Sequence, residues 1–95
     1  MLQPAALNGY ALVFSHPNIF QLEGYRFFFF SNEGNPREPV HVHIRKDGHR
    51  AKFWLHPVCL ANNQGYTGKE LNKLAQIVEA RKDEIERAWH EHFCN

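Results

Sequence analysis

His41 and His43 stand two apart in the run Val40-His41-Val42-His43-Ile44-Arg45-Lys46. Residues two apart on a strand point to the same side, so both imidazoles address one ligand or one patch of solvent. Three chemistries suit such a pair. As a catalytic pair, with ordinary pKa values of about 6.5, one imidazole takes a proton while the other gives one. With Arg45 and Lys52 nearby to steady a pentavalent phosphate, that set suffices for metal-independent RNA cleavage by the 2′-hydroxyl. As metal ligands, His41 and His43 need a third donor from elsewhere, His90 and His92 being candidates. No HExxH or CxxC spacing supports that site, and Arg45 and Lys52 oppose a cation, so no metal and no cofactor are expected. As polar groups on a basic face, the two imidazoles join Arg45, Arg50 and Lys52, which suit phosphate, and Trp54, which can stack a base. The plainest alternative is a solvated strand face, because antiparallel sheets routinely turn polar residues outward.

The element that positions these side chains is a hairpin. Asp47-Gly48 is a strong two-residue turn signal, with Gly48 suited to the positive φ of a type I′ turn. The register then follows: Lys46 faces His49, Arg45 faces Arg50, Ile44 faces Ala51, His43 faces Lys52, Val42 faces Phe53 and His41 faces Trp54. One face carries Val40, Val42, Ile44, Ala51, Phe53 and Leu55. The other carries His41, His43, Arg45, Arg50, Lys52 and Trp54. A one-residue slip would mix the two sets, so the clean alternation supports this register. Arg45 opposite Arg50 is a like-charge pair that destabilises a ladder, and an anionic ligand would offset it.

The other elements are read around that hairpin. Tyr25 to Phe30, apolar on both faces and flanked by turn-formers, predicts a central or doubly covered strand. Residues 32–39, with one Gly and two Pro, predict a loop. Val58 to Ala61 is a candidate edge strand, and Asn62-Asn63-Gln64-Gly65 reads as a polar turn. Thr67-Gly68-Lys69-Glu70 is a capping box, with Tyr66 and Leu71 placed as a hydrophobic staple. Leu71, Leu74, Ala75, Val78, Ile85, Ala88, Trp89 and His92 form the apolar stripe of a long helix. That stripe thins near Arg81-Lys82, where a kink is expected, and Asp83 and Arg87 are spaced as an ion pair on its wet side. The fold class is therefore α+β: a small antiparallel sheet of three or four strands with one long C-terminal helix packed on one face. Residues 1–20 read as an N-terminal arm or short strands, with Leu12-Val13-Phe14 and Ile19-Phe20 as strand starts, and residues 21–95 as a single α+β domain.

Composition narrows the function classes. Ninety-five residues allow one core, and eleven Lys+Arg against ten Asp+Glu exclude a global polycation. Cys59 and Cys94 lack the paired spacing of a zinc site or a disulfide framework, and Cys59 has no adjacent base to make it a nucleophile. No stretch approaches a membrane span, and the opening residues lack the basic start of a signal peptide. A cytoplasmic location, with no membrane partner, is expected.

Several stretches together resemble a known family. They are Gly24-Tyr25-Arg26-Phe27-Phe28-Phe29-Phe30-Ser31-Asn32-Glu33, Glu38-Pro39-Val40-His41-Val42-His43, Ala51-Lys52-Phe53-Trp54-Leu55 and Glu86-Arg87-Ala88-Trp89-His90-Glu91-His92-Phe93. They are similar to a small bacterial domain-of-unknown-function family, numbered four-one-six-zero, over about Gln21 to Phe93. Its usual motif is Pro-Pro-His-x-His; Val40 replaces the second Pro here and keeps both imidazoles. The resemblance implies a co-encoded small protein as partner, in an arrangement like toxin–antitoxin pairs, or nucleic acid, or both. The leading expectation is a toxin–antitoxin-type component that engages nucleic acid through the basic, His-containing hairpin face. A non-catalytic adaptor or regulator for the co-encoded protein is the alternative, and a small metal-independent ribonuclease using His41 and His43 is the third.

Overall fold

Two-residue turns make three of the four strand connections. The computed structural model describes residues 18–30 and 38–93. Among them five strands run β1 (Asn18–Leu22), β2 (Tyr25–Phe28), β3 (His41–Lys46), β4 (His49–Leu55) and β5 (Val58–Gln64). Each pairs antiparallel with its neighbour in sequence, so the order in space is β1-β2-β3-β4-β5. Asp47 and Gly48 take φ of 52° and 81°, the left-handed pair a type I′ turn requires. Glu23 and Gly24 do the same between β1 and β2, at 54° and 84°. A side chain at Gly24 would be strained there and would also press on Lys46.

The hairpin register from His41↔Trp54 to Lys46↔His49 is the one its alternation predicts. Other expectations need correction. The sheet has five strands rather than three or four: Asn18–Leu22 joins it as β1, and the edge strand expected over Val58 to Ala61 runs on through Asn62-Asn63-Gln64 instead of turning. The Asn63 amide explains the extension. It accepts from the Tyr66 N–H and donates to the Tyr66 carbonyl, both at 3.1 Å, and so closes the turn three residues later. The register also shifts between Lys52 and Phe53, which leaves β5 one residue ahead of β4. Leu12-Val13-Phe14 and residues 32–37 lie outside the described residues.

The long helix is two helices, α1 (Gly68–Ala80) and α2 (Lys82–Phe93), divided at Arg81. Arg81 leaves the helical region, with φ −109° and ψ 18°, as its N–H still donates to the Ile77 carbonyl at 3.0 Å. Its guanidinium lies 4.1 Å from the centre of the Phe20 ring. Arg81 also pairs with Glu84 at 3.4 Å, and no Asp83–Arg87 pair forms among the described residues. The capping box forms as expected: Thr67 N–H donates to the Glu70 carboxylate at 2.9 Å, and Glu70 N–H donates to the Thr67 hydroxyl at 3.1 Å. The Thr67 N–H bond holds the Glu70 carboxyl below its usual pKa. No helix among the described residues is long and apolar enough to cross a membrane.

Both helices cover the inner face of the sheet. Phe27, Val42, Ile44, Ala51, Phe53 and Leu55 meet Leu74, Val78, Ile85 and Trp89 in one buried cluster. Tyr66 closes it, its hydroxyl donating to the His49 carbonyl at 3.1 Å. Burial, with Tyr25 and Glu70 beside it, pushes the Tyr66 phenol up from 10.0 to about 12. A raised folded-state pKa means the stabilisation is complete below pH 10, where the unfolded tyrosine is still neutral. It is lost as pH climbs towards 12, because the unfolded chain ionises first. Tyr66→Phe should therefore flatten the alkaline fall in the urea midpoint. Below pH 10 the lost hydrogen bond should cost about 1 kcal/mol. An alkaline limb of unchanged steepness would assign the effect to another group.

Candidate nucleic-acid interface

The outer face of the sheet is built by the same register. Arg26 on β2 lies opposite Arg45 on β3, and Arg45 opposite Arg50 on β4. Gln21 and Gln64 extend the row to β1 and β5. Neighbouring strands lie about 4.8 Å apart, so three guanidiniums are carried on a line of backbone about 10 Å long. Arg26 is held by Asn18, whose side-chain oxygen accepts from Nε at 3.3 Å and Nη2 at 3.2 Å. Arg45 and Arg50 are exposed, and neither forms a salt bridge among the described residues. The cause of this row is local. Side-chain alternation sends Phe27, Ile44 and Ala51 inward, and their neighbours must then face out.

The next row along the strands is Phe28, His43, Lys52 and Asn62. His43 stacks on Phe28 at 5.6 Å and meets the edge of Phe30 at 4.5 Å. The Lys52 ammonium donates to the Glu38 carboxylate at 2.9 Å and lies 4.5 Å from the centre of the Trp54 ring. A depression of about 210 Å³ opens beside these groups, lined by Phe30, His43, Arg50, Lys52, Asn62 and Gln64.

The structure separates the two histidines. His43 is half-buried and lines the depression. His41 is 0% exposed. Its Nδ1–H donates to the Pro39 carbonyl at 2.9 Å, and its ring lies 5.0 Å from Trp89 of α2 and 5.6 Å from Trp54. Alternation puts His41 outward at the end of β3, but Trp89 and the Glu38-Pro39 segment enclose it there. The imidazole rings remain neighbours at 5.1 Å, with only His43 reaching the depression. His90 pairs with Glu86 at 3.8 Å and His92 lies beside Phe29 at 6.4 Å. No group of three His, Cys, Asp or Glu among the described residues could hold a metal ion.

Of the expected contacts, Arg45, Arg50, His43 and Lys52 therefore share one face, and Trp54 borders it beneath Lys52. Arg26, Phe30, Glu38, Asn62 and Gln64 were not singled out from the sequence. Arg26 carried a signal, as the lone charge in an otherwise aromatic strand. Glu38 carried none, since its pairing with Lys52 spans fourteen residues.

Comparison with curated proteins and with solved structures finds no match. The family model described as Domain of unknown function (DUF4160) matches residues 24–90, from the turn that opens β2 to the body of α2, and the chain belongs to that family.

Proposed function

We propose that this protein binds nucleic acid on the outer face of its sheet, as one component of a bacterial two-protein system of the toxin–antitoxin type. The observation that carries the reading is the row Arg26–Arg45–Arg50 on adjacent strands. Like charges opposite one another destabilise a ladder, and Arg45 and Arg50 have no carboxylate partner among the described residues to offset it. A line of phosphates supplies the missing charge, and guanidinium forks match phosphate oxygens in pairs. Lys52 is a weaker phosphate contact than its type suggests, because Glu38 already neutralises it. His43 lends a hydrogen bond to the same face. Proton-transfer chemistry is not part of the proposal, because buried His41 leaves one imidazole at the depression.

The test is a titration of labelled RNA and DNA, single- and double-stranded, at several salt concentrations. Three phosphate contacts imply a log–log slope of about −2 to −3. A second reading, an adaptor for the co-encoded protein, is favoured by β5. This edge strand of seven residues has no charge and no proline, and six of its residues are exposed. Such an edge accepts an added strand. Absence of nucleic-acid binding at low salt, with tight co-purification of the neighbouring gene's product, would replace the first reading with this one.

A further inference from the structure

We infer that the depression at the β5 end of the arginine row holds one unpaired base, whose edge is read by Gln64. The inference rests on the nucleic-acid reading and names its ligand class, a single strand rather than a duplex. Size is the first argument. At about 210 Å³ the space is smaller than the sites that enclose drug-sized ligands. It has room for a group the size of one base.

The lining is the second argument. Phe30 and His43 form an aromatic wall, meeting edge to face at 4.5 Å, and unpaired bases bind against such rings. Arg50 stands where a phosphate flanking that base would run, because it is also the last guanidinium of the row. The polar groups across from the wall are amides rather than charges. Asn62 already commits one lone pair of its carbonyl to the Asn63 N–H at 3.0 Å, which ties its amide to the chain. Gln64 is exposed and its amide engages no other described residue. A free amide offers a donor and an acceptor side by side, the pattern that pairs two-fold with a base edge. Inside a duplex those edges are occupied or lie in a groove, and the ring faces are covered by stacking. Only a base turned out of the stack can enter.

The test compares the whole chain with Gln64→Ala and with Gln76→Ala, an exposed control on α1 in the opposite layer. The probes are labelled single-stranded homopolymers of each base and a mixed duplex, titrated at several salt concentrations. The single strands should differ in affinity according to base, and the best should bind about tenfold more tightly than the duplex. Gln64→Ala should reduce that best affinity about tenfold and level the four bases, with the salt slope unchanged, because a base contact releases no counterion. Gln76→Ala should do neither, and both variants should keep the parent melting temperature. Equal binding of all strands and duplex, or a Gln64→Ala variant that binds like the parent, would overturn the base pocket while leaving the arginine row standing. Failure of every probe to bind at low salt would remove the nucleic-acid reading and the pocket with it.

Discussion

Replacing Arg45 and Arg50 together by Gln should make the protein bind nucleic acid more weakly and fold more tightly. With three phosphate contacts, raising salt from about 50 to about 200 mM should lower the parent's affinity about 20- to 40-fold. With Arg26 alone left in the row, the same change should lower it only about 3-fold. Stability should move the other way. Removing the two like-charge adjacencies relieves about 0.5–1 kcal/mol, which raises the melting temperature of a domain this size by about 3–6 °C. The gain should fade at high salt, where exposed charges are screened. A double variant that lost both binding and stability would point to misfolding and would sink the explanation. Filter binding and thermal melts on the same preparations separate the outcomes.

Trp89→Ala should have the largest effect on folding. Trp89 is 1% exposed, and its ring lies 4.4 Å from Phe93, 5.0 Å from His41 and 5.3 Å from Phe29. It is the side chain through which α2 grips both the sheet and the chain beyond β2. Truncating a buried Trp costs about 3–5 kcal/mol, against about 5–15 kcal/mol for a whole domain. The melting temperature should fall by about 15 °C or more, followed by circular dichroism. Trp54 remains as a fluorescent reporter of the sheet. Below its midpoint the variant should still bind nucleic acid with the parent's salt slope, since Trp89 lies on the helical side. A small loss of stability would mean that α2 is not packed as described.

The hairpin of β3 and β4 was legible because turn chemistry and alternation fix the same register independently. Arg26 was not, although β2 itself was. Its partner lies across a connection of twelve residues, Phe29 to Val40, rather than across a two-residue turn, and phenylalanines on both faces of β2 hide which side is which. β5 was under-read for a related reason. Asn and Gly favour turns by local chemistry, and only pairing with β4 and the Asn63–Tyr66 bonds make a strand of them. His41 is the instructive failure. Its spacing from His43 is right for a shared face, and the burial that separates them comes from Trp89, forty-eight residues later in the chain. The thinning stripe at Arg81 pointed to a kink, and the structure carries it through to a break. The partner, the compartment and the chemistry of the family lie beyond any of these local signals.

Alternation along β2, β3 and β4 has a consequence for how this protein can change over time. Inward residues such as Phe27, Val42, Ile44, Ala51 and Phe53 answer to the helices, and the residues between them to whatever touches the outer surface, so the two sets can drift under separate selection. Exchanging Arg45, Arg50, Asn62 or Gln64 can retune what is bound without asking the interior to repack. His41 breaks that independence. It sits in the outward set by register and in the inward set by packing, so any lineage that alters the ligand near Trp54 must do so around a side chain the interior also needs.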